Sequence, residues 1–198
     1  MRLPGNLVVP GNAAGVVAFA HGSDSSRHSP RNQFVAAVLQ RAGLATLLFD
    51  LLTPDEAADR RNVFDIPLLA GRLTAAHDWI GTRAELVGLP IGYFGASTGA
   101  AAALRSAAGP VDVAAVVSRG GRVDLAGPHL AAVSAPTLLI VGERDPDVLD
   151  LNRAAQRELT CANRLDVVPG ATHLFEEPGT LEQVAALARD WLVTYLTR

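Results

Sequence analysis

The chain has 198 residues, 49% of them hydrophobic and 19% charged, which suits a folded domain and excludes a disordered chain. A formal net charge of −3 argues against a protein that binds nucleic acid or an anionic membrane. The single cysteine, Cys161, excludes a disulfide framework, and the absence of lysine excludes a P-loop or Schiff-base lysine.

Short apolar segments alternate with helical patterns along the chain. Ser29 is a preferred N-cap and Pro30 suits a first helical turn, so together they predict the start of the first helix, which Gly43 ends. The predicted strands are 16–20, 44–49, 89–94, 113–117, 137–141 and 164–168, with a possible edge strand at 3–9. The other predicted helices are 67–86, 99–108, 148–159 and a last helix from residue 180.

Several local features complete this pattern. Residues 53–65 are predicted to be a charged loop, and Thr180 with Gln183 has the pattern of a capping box. Trp79 and Trp191 lie on apolar helix faces and are predicted to be core residues.

Continuously apolar strands that alternate with helices predict an α/β fold. Its central sheet would be mostly parallel, with helices on both faces, in one domain that spans residues 1–198. Ligands of such sheets bind beyond the carboxyl ends of the strands, so the residues at those ends are the candidates for a site.

The segment Gly95–Gly99 matches the pattern Gly-x-Ser-x-Gly, with Ser97 at its centre. A predicted strand precedes it and a predicted helix follows it, which is the arrangement of a nucleophile elbow. The alternative is an ordinary glycine-rich turn between a strand and a helix. The functional interpretation makes Ser97 the nucleophile.

A serine nucleophile needs a base, and the base needs an acid that orients it. Asp145 and His173 each follow a predicted strand, and they come after Ser97 in the order that this architecture requires. Glu143 and Asp147 are rival acids. His173 could instead be a loop or core histidine.

Acyl transfer also needs N–H donors for the oxyanion. The predicted donors are the backbone N–H groups of Thr98, which follows the nucleophile, and of Ser23, which follows the first central strand. Gly22 would allow the close approach of these segments, and His21 is expected to hold the loop.

At this point the residues resemble those of a known family. The chain is similar to the dienelactone hydrolase group of α/β-hydrolases from about residue 5 to residue 196, through His21-Gly22-Ser23, Gly95-x-Ser97-x-Gly99, Gly142-x-x-Asp145 and Gly170-x-x-His173. The resemblance implies the α/β-hydrolase fold with an eight-stranded, mostly parallel sheet. It also implies hydrolysis of a carboxylic ester, lactone or similar acyl compound.

Two features depart from the family pattern that the resemblance implies. Dienelactone hydrolases proper use a cysteine nucleophile, whereas the elbow here holds Ser97 and Cys161 lies elsewhere, which favours a serine esterase. Residues 121–135 are too few for a sizeable cap domain, so the site should be open. Residues 25–32 also resemble a subgroup of small hydrolase domains, some of which are fused to phosphoribosyltransferase domains.

Arginines are expected at the mouth of the site. Arg27 and Arg31 follow the oxyanion loop, and Arg119 and Arg122 follow the fourth strand. Because guanidinium groups bind carboxylates and phosphates bidentately, one or two of them, Arg119 first, are candidates to bind an anionic group of the substrate. His28 beside Arg27 is a further candidate for the pocket lining. The alternative is a set of solvated or ion-paired surface arginines.

The sequence therefore predicts a serine hydrolase that acts on a small acyl substrate without cofactor or metal. A thioesterase or acyltransferase could use the same triad, and a non-catalytic binding module on this fold is the alternative of another class. A dinucleotide-binding protein is excluded because Gly-x-Gly-x-x-Gly is missing after the first strand. With no signal peptide and no long apolar run, we expect a cytoplasmic protein without nucleic-acid or membrane partners.

Overall fold

A mostly parallel sheet forms the centre of the computed structural model, which describes residues 2–197. Its seven strands are β1 (Gly5–Val8), β2 (Gly15–Ala20), β3 (Leu44–Phe49), β4 (Ile91–Ala96), β5 (Val113–Arg119), β6 (Thr137–Gly142) and β7 (Asn163–Val168). Their order is β1-β3-β2-β4-β5-β6-β7, and β1 alone pairs antiparallel, with β3. The predicted edge strand is thus confirmed. The described residues form seven strands rather than the eight that the resemblance implied.

Helices cover both faces of this sheet, as predicted. They are α1 (Pro30–Arg41), α2 (Pro54–Ala57), α3 (Arg60–Val63), α4 (Ile66–Gly81), α5 (Thr98–Ala107), α6 (Pro146–Glu158) and α7 (Thr180–Leu196), with a 3-10 segment at Val123–Ala132. The core on one face is built with α4, α5 and α6, and the core on the other with α1 and α7. Every residue of β2, β3, β4 and β6 is buried because helices pack on both sides.

Three local predictions are wrong. The segment predicted as a charged loop contains α2 and α3, because Thr53 and Glu56 form a capping box and Asp59 caps the second turn. The last helix has no capping box at Thr180, since the preceding Gly179 is left-handed and the Thr180 hydroxyl donates to the Glu177 carbonyl.

The third wrong prediction is that Trp79 is a core residue. It is 43% exposed, and its ring lies under the Arg83 guanidinium at 5.3 Å. Trp191, by contrast, packs partly buried against the core. Within the described residues, no helix combines the length and apolarity that crossing a bilayer requires.

Candidate active site

Ser97 occupies a sharp turn between β4 and α5. Its backbone has φ 51° and ψ −121°, a strained conformation that non-glycine residues seldom adopt. Between residues 91 and 104 it is the one residue that is not buried. The turn therefore presents this serine at the surface of an otherwise closed strand-to-helix junction.

Two glycines permit the turn. A Cβ atom at Gly95 would lie 2.5 Å from the Ala100 Cα atom, and one at Gly99 would lie 2.1 Å from the Ala20 carbonyl oxygen. Both contacts are with backbone, which cannot move aside cheaply. The Gly-x-Ser-x-Gly pattern thus follows from the close packing of α5 against β4 and the end of β2.

Asp145 and His173 meet beyond the carboxyl ends of β6 and β7. The Oδ2 atom of Asp145 lies 2.6 Å from the Nδ1 atom of His173. Because a carboxylate only accepts hydrogen bonds, the proton of a neutral imidazole lies on Nδ1, which leaves Nε2 as an acceptor. This is the nitrogen that a general base requires.

The loop that carries His173 is fastened to the end of β6. A Cβ atom at Gly142 would lie 2.4 Å from the Ala171 carbonyl oxygen, so only glycine allows this approach. The Arg144 N–H donates to the same carbonyl at 2.9 Å. The rival acid Glu143 instead accepts the Gly170 N–H at 2.8 Å, and Asp147 is exposed on α6.

The end of β5 connects the elbow with the imidazole. The Ser97 N–H donates to the Arg119 carbonyl at 3.2 Å, and the Ser97 carbonyl accepts the Arg122 N–H at 3.1 Å. Gly120, at φ 52°, lies directly against His173, since a Cβ atom there would be 3.4 Å from the imidazole Cε1 atom. Ser97 and His173 therefore both contact the segment at the end of β5. Within residues 2–197 the Ser97 hydroxyl forms no hydrogen bond of its own.

The predicted oxyanion loop lies over the elbow. A Cβ atom at Gly22 would be 3.0 Å from the Ser97 Cβ atom. The Ser23 N–H, however, donates to the Thr98 Oγ1 atom at 3.0 Å, so this predicted donor already has a partner. Thr98 begins α5, and its N–H has no acceptor within the helix. Nothing in the sequence indicates that the Thr98 hydroxyl, which belongs to a residue only 3% exposed, accepts this hydrogen bond.

His21 holds the predicted oxyanion loop, as the sequence suggested. Its Nε2 atom accepts the Leu51 N–H at 3.1 Å, and its Nδ1 atom lies 2.9 Å from the Gly22 carbonyl oxygen. Burial lowers the pKa of this imidazole, which favours the neutral form that both hydrogen bonds need. The residue links β2, β3 and the loop.

The residues predicted at the mouth differ in their surroundings. Arg27 forms an ion pair with Asp50, Arg122 with Asp124, and Arg31 with the exposed Glu176 at 3.3 Å. His28 is exposed, and its backbone N–H donates to the Ser26 hydroxyl. Arg119 is buried and lies against the ring of Phe175.

A search of curated proteins finds relatives of this sequence, whereas no family model matches it. A protein of two Mycobacterium tuberculosis strains, named "Putative phosphoribosyl transferase", is 63% identical over 193 residues, or 97% of this chain. The chain spans only 44% of the length of these curated relatives.

Solved structures share this fold, and one of them is also similar in sequence, at 55% identity. Est1E from Butyrivibrio proteoclasticus has a TM-score of 0.82 at 16% identity, over 99% of this chain and 95% of that chain, which shows a common fold. A dienelactone hydrolase from Anabaena variabilis has a TM-score of 0.96 at 55% identity, over 99% of this chain and 93% of that chain. The chain therefore belongs to the dienelactone hydrolase family of α/β-hydrolases.

Proposed function

We propose that the protein is a serine hydrolase that cleaves a small carboxylic ester or lactone. The observation that carries the proposal is the 2.6 Å hydrogen bond between Asp145 and His173, together with a strained elbow on which Ser97 is half-buried. Ser97 Oγ attacks the acyl carbon while His173 Nε2 takes its proton. Asp145 holds the imidazole in the tautomer that allows this step and stabilises the imidazolium that forms.

The reaction continues through an acyl-enzyme. The imidazolium returns its proton to the leaving oxygen, and the alcohol departs; from a lactone, this oxygen stays attached to the acyl group. A water molecule then gives a proton to His173 and attacks the acyl carbon. Collapse of the second tetrahedral intermediate frees the carboxylic acid and returns the proton to Ser97.

The oxyanion of each tetrahedral intermediate needs donors at the elbow. The Thr98 N–H, at the start of α5, is one, and the positive end of the helix dipole lies behind it. The Ser23 N–H is the other in this proposal. Because it donates to Thr98 Oγ1 when no substrate is bound, it must share or exchange that acceptor when the oxyanion forms.

The relatives support the hydrolase class and leave the substrate open. The relative at 55% identity is named a dienelactone hydrolase, which is consistent with an ester or lactone. The name "Putative phosphoribosyl transferase" belongs to a protein of which this chain spans less than half, so the shared segment need not carry that activity. A thioesterase or acyltransferase with the same three residues is the nearest variant of the proposal.

A fluorophosphonate probe tests the nucleophile. We expect the wild-type protein to be labelled, with the Ser97 oxygen displacing fluoride from phosphorus, and Ser97→Ala to lose both labelling and ester hydrolysis, because neither the phosphonyl nor the acyl group would have an acceptor. His173→Gln should slow labelling by about 10³-fold or more, since the hydroxyl would lose its base. Labels are located by peptide mass spectrometry.

Cys161→Ala is the matched control, because it removes the thiol of the single cysteine, which lies near Thr137 and not at the elbow. It should keep full labelling. Absence of labelling and of ester hydrolysis in the folded wild-type protein would favour a binding module on this fold and contradict the proposal.

A further inference from the structure

Asn152 places a fully buried amide in the middle of α6. The residue is 0% exposed, and its Nδ2 group donates to the Gly121 carbonyl at 2.9 Å and to the Val148 carbonyl at 2.8 Å. Both partners only accept hydrogen bonds, so the side-chain nitrogen, and not the oxygen, must face them. Val148 belongs to the preceding turn of the same helix, whereas the bond to Gly121 joins α6 to another part of the chain.

Stability alone does not explain an amide at this position. The Oδ1 atom of Asn152 is buried and has no hydrogen-bond partner among residues 2–197. The same holds for the hydroxyl of Ser118, and a Cβ atom at Gly121 would lie 2.0 Å from that hydroxyl oxygen. Burying a polar atom without a partner is unfavourable, and a leucine of similar size at residue 152 would avoid it. The hydrogen bond to Gly121 is what the amide adds.

The segment that Asn152 holds, residues 119–122, contacts two members of the proposed triad. Its first carbonyl and its last N–H both bond to the Ser97 backbone, at 3.2 Å and 3.1 Å. Between them, Gly120 lies against His173, since a Cβ atom there would be 3.4 Å from the imidazole Cε1 atom. A displacement of this segment would therefore change the position of the serine hydroxyl relative to the imidazole.

The helix that carries Asn152 begins at the third member of the proposed triad. Asp145 directly precedes α6, and its carbonyl accepts the Leu149 N–H at 2.9 Å. Asn152 follows about two helical turns later. Its hydrogen bond to Gly121 therefore connects the element that places the carboxylate with the segment that contacts the serine and the histidine.

We propose that Asn152 is a positioning residue, whose hydrogen bond to Gly121 holds the proposed triad in its reactive geometry; this rests on the proposed hydrolase function. The amide contacts no reacting group and acts through Gly121, so its loss should lower kcat and leave KM nearly unchanged. A displacement of about 1 Å at a reacting centre can lower a rate by about 100-fold.

Asn152→Asp tests the amide, because it keeps the shape of the side chain. A protonated carboxyl group can still donate to the Gly121 carbonyl, whereas the ionised form only accepts and is repelled by it. Burial raises the pKa of such a carboxyl group, which brings its ionisation towards neutral pH.

The expected result is a change in the shape of the pH profile of kcat for 4-nitrophenyl butyrate between pH 5 and pH 9. The wild-type kcat should rise as His173 loses its proton and then stay level. In Asn152→Asp it should fall again on the alkaline side, to about 10- to 100-fold below the wild type. Circular dichroism at each pH verifies that the variant stays folded.

The matched control is Asn163→Asp. The Asn163 amide also donates to two backbone carbonyls, those of Leu159 at 3.4 Å and Cys161 at 3.0 Å. It lies at the start of β7, at the edge of the sheet opposite to the candidate site, and should keep the wild-type profile. An alkaline loss of kcat in both variants would indicate a general effect of a buried charge and overturn the proposal.

Asn152→Leu provides a second variant if Asn152→Asp does not fold. It removes the donor without adding a titrating group, so kcat should fall at every pH while the profile keeps its wild-type shape. A folded Asn152→Leu with the wild-type kcat would overturn the proposal. A folded Asn152→Asp with the wild-type profile would do the same.

A measurement without turnover separates this proposal from the hydrolase itself. The Nδ1 proton of His173, hydrogen-bonded to Asp145, is followed by proton NMR. Because Gly120 contacts the imidazole, Asn152→Asp should shift this resonance at alkaline pH, and Asn163→Asp should not. If the wild type hydrolyses no ester but the shift occurs, the hydrolase proposal fails and the positioning stands. If esters are hydrolysed and neither kcat nor the resonance changes, the positioning fails alone.

Discussion

At the scale of single residues, His21 and Arg119 are two polar side chains that the fold withdraws from water in different ways. His21 has a partner for each ring nitrogen, and burial lowers its pKa and so favours the neutral imidazole, which holds the predicted oxyanion loop in place. Arg119 keeps a charge and has no ion-pair partner among residues 2–197. The hydrogen-bonded ring of His21 therefore has a structural role, whereas the buried guanidinium of Arg119 lacks a side-chain counter-ion among the described residues.

The neutral state of His21 predicts a stability that depends on pH. Its folded pKa lies below the ordinary value of 6.5, so the unfolded chain binds a proton more readily. Its contribution to the free energy of unfolding is therefore complete above pH 6.5 and is lost as the pH falls towards the folded pKa. Urea unfolding between pH 8 and pH 5 should show this decline. His77, whose pKa burial also lowers, adds to it.

His21→Gln should reduce the decline, because the glutamine oxygen can accept the Leu51 N–H without titrating. The matched control is His28→Gln, which removes an exposed imidazole and should keep the wild-type slope. If His21→Gln lost stability with acid as steeply as the wild type, His21 would not be the source.

At the scale of elements, what could be predicted from the sequence depends on how local the signal is. Strands β2, β3, β4 and β6 are apolar at most positions because both faces are buried, and this alone locates them. The short helices α2 and α3 were missed because four residues carry no periodicity, although their caps at Thr53 and Asp59 are readable.

The same limit applies to the site. Ser97, Asp145 and His173 could be proposed because motif, chain order and strand ends agree. That Arg119 is unpaired could not be predicted, since it depends on which distant carboxylates fail to reach it. The hydrogen bond from the Ser23 N–H to Thr98 joins residues 75 positions apart and has no local signal either.

Glycines in two helices test the packing of the elbow. Gly99→Ala places a Cβ atom 2.1 Å from the Ala20 carbonyl oxygen, so α5 or β2 must shift. We expect it to lower the free energy of unfolding by about 1–3 kcal/mol and to disturb the proposed oxyanion site. Gly71→Ala in α4 meets nothing within 4 Å and should raise that free energy by about 0.5–1 kcal/mol.

Urea unfolding of both variants gives the comparison. The alanine is the same in each, so the sign of the change reports the surroundings rather than the residue. If Gly99→Ala were as stable as the wild type, the contact between α5 and the end of β2 would not be as tight as described.

At the scale of the whole molecule, all the parallel strands direct their carboxyl ends to one edge, and the candidate residues lie on the connections at that edge. Between β5 and β6, the place of a cap domain where one is present, the chain forms the 3-10 segment Val123–Ala132. Its residues Val123, Ala126 and Leu130 are buried against the core, so the segment is part of the body of the domain.

Because the β5–β6 connection forms no cap over the carboxyl edge of the sheet, the hydrolysis rate should not jump when the substrate aggregates. A hydrolase whose site is covered by a mobile lid gains activity when the lid opens at an oil–water interface. Here the β5–β6 connection is packed into the core and cannot act as such a lid. The hydrolysis rate of tributyrin, followed by acid release, should therefore saturate smoothly across its solubility limit. A sharp rise in rate as the emulsion forms would require a covering element that moves, and would contradict the open site.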